Sequence, residues 1–393
     1  MKPYIPPLIL LIILAAFLRD DFSLTLIYLF LGAFIIGTWW SRKSLRQVSF
    51  LRKFTDRAFL GEKVEVDLHL QNQGWLPLLW TRIEDALPVA LGTLTFERVT
   101  ALGPKGEANF RYTLEARKRG YYPLGPLFIS TGDILGLNDP LRAEIPAQYL
   151  TVYPHIVALN SIQIPSRSPQ GTMRHTLPIF EDPTRVMGKR EYVAGDSLRR
   201  VDWKSTATSG RLQVKLFEPA ISLETLIFLN LNAEDYHYRT RIDSTELAIV
   251  IAASVAAWVT GKRQAVGLNV NGLDPLKPDS TPQTIPPRKG QAHLMRILDI
   301  LARIEMIQET SLTNILQRER FHLSWGTTLI VITGQAGDDL LDELYQARRA
   351  GQNTLLILAG PVTHEQEITR RANHFGIPVV PILNERGLDI WRK

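Results

Sequence analysis

A membrane-anchored, multidomain chain is predicted, with two N-terminal transmembrane helices, an all-β immunoglobulin-like sandwich, and an α/β doubly wound domain. Three observations predict it. Two uncharged apolar runs open the sequence at 5–18 and 22–40. Short segments of alternating polarity, separated by turn clusters, fill 55–150. From about residue 222, continuous apolar strands alternate with helical patterns.

The 393 residues carry 45% hydrophobic and 21% charged side chains. That is ordinary folded composition and leaves room for two or three cores. The absence of cysteine excludes disulfides, thiolate metal sites and cysteine nucleophiles. The formal charge of +6 is a modest basic excess, part of it beside the apolar runs, where lipid headgroups explain it more simply than nucleic acid does.

The hairpin 1–41 is read as the anchor. The second apolar run has the length of a bilayer span, and Pro3 and Tyr4 extend the shorter first run into the interface. Arg19, Asp20 and Asp21 form the linker. Only Lys2 precedes the first run, and Leu18-Arg19-Asp20 is a poor cleavage site, against a signal peptide. Arg42, Lys43, Arg46, Arg52 and Lys53 follow Trp40, so the positive-inside rule puts the rest of the chain in the cytoplasm, with Trp39 and Trp40 in the aromatic belt. The expected location is the cytoplasmic membrane, multi-pass, with the lipid bilayer as first partner.

In the sandwich region 55–150, Val64 to Leu70 and Phe110 to Leu114 alternate. Turns fall at Asn72-Gln73-Gly74, at 102–106 and at Arg119-Gly120. Arg117-Lys118-Arg119 is read as a solvated turn ahead of a phosphate or lipid patch. Residues 155–190, rich in Pro, Ser, Gly and Arg, read as a linker or long loop.

In the remainder, 191–393, strands are expected at 226–231, 265–270, 328–333, 354–359 and 377–382. Asp243 and Glu246 have capping-box spacing before an Ala/Val-rich helix that stops near Gly261, and helices are expected at 291–307, 311–322, 338–350 and up to Phe375. Ligands of such a sheet sit at the carboxyl ends of its strands. No phosphate loop, dinucleotide fingerprint, nucleophile elbow or zinc-binding His pair occurs, and the eight histidines are scattered.

One segment stands apart: Arg190-Glu191-Tyr192-Val193-Ala194-Gly195-Asp196-Ser197-Leu198-Arg199-Arg200-Val201-Asp202-Trp203-Lys204, running on to Glu218. It resembles the bacterial family called domain of unknown function 58. Tyr192, Gly195, Asp196, Arg199, Asp202, Trp203 and Ala207 match that family's hallmark in register. Asp133-Ile134-Leu135-Gly136-Leu137 is similar to a second element, with two residues replaced. The resemblance implies paired N-terminal spans, a strand domain and a von Willebrand factor A-like C-terminal domain. It implies no settled activity. It also implies a MoxR-type AAA+ ATPase as partner, and a transglutaminase-like membrane protein as a second one.

A von Willebrand A metal site needs Asp-x-Ser-x-Ser after the first strand, because hard cations want carboxylate and hydroxyl oxygens. Here the positions are Asn230, Asn232 and Glu234, a degenerate site, and no metal or other cofactor is expected. Asp338 and Asp339 read as helix-start residues. Two accounts of the signature follow. In one, Asp196 caps a short helix, Arg199 or Arg200 pairs with Asp196 or Asp202, and Trp203 packs beneath. In the other, Arg199 and Lys204 serve a docking surface or small anion site. The expected function is a non-catalytic, cytoplasm-facing adaptor or scaffold working with the ATPase on membrane or envelope clients, without nucleic acid. The alternative is an enzyme using Asp196 and Asp202 as acid and base.

Overall fold

The computed structural model describes residues 9, 12, 13 and 21–392, apart from 93–94, 134–135, 137–138, 163–180, 194–196, 220–223, 279–281 and 309. Within that set, 21, 23, 181–185, 187, 199 and 217–219 are described by backbone alone. The chain divides into two compact units, 1–155 with 298–304, and 156–297 with 305–393.

The first unit opens with α1 (Asp21–Leu45), whose stretch Leu24–Leu45 has mean hydropathy 1.7 and is 6% buried. An exposed apolar helix of this length has the composition and surface of a membrane span. Of the first apolar run, only Ile9, Ile12 and Ile13 are described, as helical and exposed. The rest lies outside the described residues.

Ten strands follow: β1 (Val48–Lys53), β2 (Arg57–Phe59), β3 (Lys63–Asn72), β4 (Leu78–Ala86), β5 (Thr95–Leu102), β6 (Glu107–Glu115), β7 (Gly120–Leu124), β8 (Leu127–Thr131), β9 (Leu141–Ile145) and β10 (Gln148–Tyr153). They form antiparallel sheets β1-β3-β6 and β5-β4-β8-β9, plus β2-β10-β7, in which β2 and β10 run parallel. β3 shows why a sandwich forms. Its alternate residues Val64, Val66, Leu68 and Leu70 are buried and their neighbours face outward. They share one core with Leu78, Ile83, Leu114, Leu127 and Leu150. The strands begin at Val48, so the sequence boundary at 55 falls between β1 and β2.

A charged cluster lies in this core. Arg52 Nη2 meets Asp85 Oδ1 at 3.0 Å, Tyr112 donates its hydroxyl to Asp85 Oδ2 at 2.7 Å, and Arg52 Nη1 donates to the Leu124 carbonyl at 2.6 Å. Burial pushes the Asp85 carboxyl up, while the Tyr112 hydrogen bond and the Arg52 charge pull it back. The basic turn is not an open patch. Arg117 pairs with Glu115 at 2.8 Å, and Arg119 Nη1 donates to the carbonyls of Leu301, Ala302 and Ile304.

The second unit begins, after 156–162, with β11 (Glu181–Glu191), α2 (Trp203–Ser209) and β12 (Gln213–Pro219). β11 and β12 pair antiparallel with register shifts at Asp182/Val186 and Val186/Gly188. The linker expected at 155–190 is therefore strand over its last part. Then come β13 (Glu224–Leu229), α3 (Arg241–Gly261), β14 (Ala265–Val270), β15 (Gln283–Arg288), α4 (Gln291–Arg303), α5 (Leu312–Arg320), β16 (Thr328–Thr333), α6 (Asp338–Arg349), β17 (Asn353–Ala359), α7 (Glu365–His374) and β18 (Val379–Ile382). The sheet order is β15-β14-β13-β16-β17-β18, parallel except for β15. Strand order reverses beside β13, so the carboxyl ends of β13 and β16 form the topological switch point.

α3 is apolar enough to span a membrane, yet 72% of its apolar window is buried. It packs against β13, β14, β16 and β17, and its other side is covered. The Val157 amide donates to Ser254 Oγ at 3.0 Å, and the Trp258 indole donates to the Asn160 carbonyl. α3 begins at Arg241 with Thr240 at the N-cap and no side-chain cap bond, so the expected Asp243 box is not formed and Asp243 sits in the first turn. The antiparallel edge β15 holds Pro286 and Pro287, which an edge strand tolerates. The expected helix to 307 ends at Arg303, and Glu305 and Ile307 make bridges to Leu273 and Asn232.

Candidate functional site

Two constellations hold the residues singled out above. The first is the arm formed by β11, α2 and β12. Cross-strand pairing sets Lys189 opposite Lys215 and Glu191 opposite Gln213, and the Tyr192 amide donates to the Leu212 carbonyl at 2.8 Å. Val201 bridges Val214, and both are buried. This ties the residues ahead of α2 back onto β12.

Asp202 is the hinge of the arrangement. Its Oδ1 accepts from the Ser205 amide at 3.1 Å as the N-cap of α2, and its Oδ2 meets Lys189 Nζ at 2.9 Å. Its own amide donates to the Gln213 carbonyl at 2.8 Å. Gly210, left-handed at φ 68°, closes α2. The hydrogen bond from Lys189, then the Ser205 amide, hold the Asp202 carboxyl below the usual carboxylate range.

A depressed folded pKa contributes stability that is present above the unfolded value, about 3.9, and lost as pH falls through the folded one. Asp202→Ala is accordingly expected to speed amide hydrogen exchange across 203–209 at neutral pH. Wild type should approach the variant's rates on acidification below the ordinary carboxylate range. Unchanged exchange in the variant would remove Asp202 from this role.

Three expectations for the arm are corrected. Among the described side chains Asp202 pairs with Lys189 and not with an arginine, because the antiparallel pairing brings β11 beside the start of α2. Trp203 does not pack beneath. It is 68% exposed, since Asp202 as N-cap turns the first helical residue outward. The short helix at 198–200 has Ser197 at its N-cap, without a side-chain cap bond. Gly195, Asp196 and the Arg199 side chain lie outside the described set, and Lys204 is exposed. Ile134, Leu135 and Leu137 of the second family element are also outside it, while Asp133 accepts on its carbonyl from the Trp80 indole.

The second constellation is the switch point. Asn230 Nδ2 donates to Asp235 Oδ2 at 2.8 Å and to Thr333 Oγ1 at 2.9 Å. Asn271 Nδ2 donates to Asn230 Oδ1 at 2.7 Å and to the Thr310 carbonyl at 2.8 Å, and Asn271 Oδ1 accepts from the Leu231 amide at 2.6 Å. Asn232 Nδ2 reaches Asp235 Oδ2 at 3.2 Å, and the Tyr236 hydroxyl donates to the Asn230 carbonyl at 2.6 Å. Burial pushes the Tyr236 phenol up, and the Asp235 charge adds to it. Amide N–H groups thus point where a cation would need acceptors. Asn230 and Asn232 meet here as placed from sequence, but the Glu234 side chain is exposed, and Glu234 joins through its amide, which donates to Asn232 Oδ1 at 3.4 Å. No group of three or more His, Cys, Asp or Glu side chains suited to a metal occurs among the described residues.

Lys189, Asp235 and Asn271 were not foreseen. Asp235, three residues after Asn232, had a local signal in the spacing. Lys189 and Asn271 had none, because each is brought in by strand pairing. Asp338 and Asp339 start α6, as read.

The fold and the arm together define a class: a chain with an exposed apolar N-terminal helix, a strand domain and a doubly wound unit bearing a signature arm. Residues 188–368 match the family described as "Protein of unknown function DUF58". It is 25% identical over 306 residues to "Uncharacterized protein YeaD" of Bacillus subtilis (strain 168), covering 76% of this chain and 72% of that one. Among solved structures, an aerotolerance-related membrane protein from Bacteroides fragilis NCTC 9343 is 12% identical with a TM-score of 0.32, covering 43% of this chain and 95% of that one. A von Willebrand factor type A protein from Catenulispora acidiphila is 11% identical with a TM-score of 0.32, covering 46% of this chain and 44% of that one.

Proposed function

We propose that the chain is a membrane-anchored, cytoplasm-facing adaptor without catalytic activity, with a von Willebrand A-like body and an immunoglobulin-like strand domain. Its arm docks a MoxR-type AAA+ ATPase and holds it near membrane or envelope clients. A transglutaminase-like membrane protein is the second candidate partner. The observation that carries this reading is the surface of the arm. Val193 is 61%, Leu198 63% and Trp203 68% exposed, on a segment whose backbone is held by Asp202, Lys189 and the Val201–Val214 bridge. Large apolar side chains displayed on a braced scaffold are the pattern of an interaction hot spot.

The enzymatic alternative has less support. Both Asp202 oxygens are already engaged, one by a helix amide and one by an ammonium, and its lowered pKa makes it a weak base.

The test is a pull-down of full-length chain from solubilised membranes, with and without ATP, comparing wild type with Trp203→Ala. Recovery of an AAA+ ATPase that responds to nucleotide is expected, with the variant lowering it about tenfold, the effect of losing one central aromatic contact. Absence of an ATPase from the wild-type eluate, or equal recovery with the variant, would count against the reading.

A further inference from the structure

The loop joining β3 to β4, residues 73–77, runs alongside the end of α1. The Gln73 amide donates to the Gln47 carbonyl at 2.9 Å, and the Trp40 indole donates to the Pro77 carbonyl at 2.9 Å. Gly74 lies so close to Gln47 that a Cβ there would collide with the Gln47 side chain. Ser41 and Ser44 are buried, and α1 packs against β4 and β9. The last turns of α1 are therefore held to the strand domain, with no loose tether between them.

This fixes the height of the loop relative to the bilayer. The uncharged run 22–40 of α1 spans about 28 Å at 1.5 Å per residue, close to the thickness of the hydrocarbon layer. Trp39 and Trp40 then stand at its boundary, and the loop bonded to Trp40 lies at headgroup depth.

The loop is shaped for that place. Buried Asn72 clamps it, donating to the Leu76 and Gly103 carbonyls at 2.8 and 2.9 Å and accepting from the Gly74 amide at 3.0 Å. Leu76 is fully buried, yet Trp75 beside it is 63% exposed and Leu79 at the start of β4 is 42% exposed. A rigid loop thus holds an indole outward. The Lys105 amide donates to the Gly74 carbonyl at 3.0 Å, setting an exposed cation beside it, and Arg42 and Lys43 are exposed on the neighbouring turn of α1. Exposed Trp and Leu with exposed cations on the adjoining turns match the chemistry of an anionic membrane surface.

We propose that the β3–β4 loop is a second membrane contact, with Trp75 and Leu79 seated in the headgroup layer beside α1 and Lys105 among the lipid phosphates. This rests on α1 being a span. It makes the strand domain a fixed platform on the bilayer surface.

The chain has no cysteine, so single variants Trp75→Cys, Leu79→Cys, Phe30→Cys and Leu383→Cys each carry one thiol for a nitrobenzoxadiazole label. The labelled full chain is reconstituted in vesicles of three parts phosphatidylcholine to one part phosphatidylglycerol, and quenching by shallow and deep nitroxide lipids is compared. Labels at 75 and 79 should be quenched about twofold more by the shallow nitroxide, in keeping with interfacial seating. The label at 30 should favour the deep nitroxide, and the label at 383 should respond to neither. Leu79→Cys keeps the Trp75 indole, so loss of that side chain does not decide the result. If 75 and 79 behave like 383 while 30 is quenched by the deep lipid, the loop is aqueous and the proposal is overturned with the span intact. If 30 is not quenched either, the span itself fails, and the proposal with it.

Discussion

Arg52→Met is expected to cost the strand domain about 3–5 kcal/mol, the loss typical of leaving one member of a buried ion pair alone. The side chains of Arg52 and Asp85 are 1% and 0% exposed. With Arg52 gone, Asp85 keeps only Tyr112 as a hydrogen-bond donor, and the Leu124 carbonyl loses its Arg52 contact. Thermal or urea unfolding of the solubilised chain, read by hydrogen exchange in β3, β4 and β6, would measure it. Adding Asp85→Leu should restore most of the loss, because it removes the stranded charge, although Tyr112 then lacks its acceptor.

The pH dependence carries a second signature. The folded pKa of Asp85 lies above its unfolded value, so folding takes up a proton at this group. Its contribution becomes more favourable as pH falls through the range above about 3.9. Without Arg52 this shift grows, and the variant should gain stability relative to wild type on mild acidification. A loss under about 1 kcal/mol would mean that the pair is not the buried linchpin described, since replacing an exposed side chain costs no more than that.

The sheet of the second unit was legible because its parallel strands are buried on both faces and read as unbroken apolar runs, Leu226 to Leu229 and Thr328 to Thr333 among them. β15 was not, because Pro286 and Pro287 argue against a strand and only its edge position excuses them. β11 was hidden for a related reason: Glu181-Asp182-Pro183-Thr184-Arg185 has no apolar alternation, and its pairing with β12 is irregular. The signature's residues could be named in sequence, but not their partners. Lys189 reaches Asp202 through a strand register that no local pattern encodes. One of the two accounts packed Trp203 beneath an arginine–carboxylate cluster, whereas it is exposed as the first residue of the helix that Asp202 caps.

Asn230→Asp should likewise cost the second unit about 3 kcal/mol at neutral pH, as a buried charge without a counter-ion does. The substitution replaces an amide that donates to Asp235 and Thr333 with a carboxylate at the same distance. Two carboxylates would face each other at 2.8 Å, the separation between Asn230 Nδ2 and Asp235 Oδ2. At that spacing they cannot both ionise and must share one proton.

The variant should therefore recover on acidification, in the opposite sense to ordinary acid denaturation. Magnesium tests the likeness to a metal-binding site. A cation there would need oxygens, but the Asn232 and Asn271 amides still aim N–H groups at the same atoms, and the Glu234 side chain stays outside. Recovery of the variant's melting temperature by acid, and none by magnesium, is the expected pair of results. Recovery by magnesium would mean that these amides turn over to present oxygen, and that one carboxylate separates this network from a working cation site.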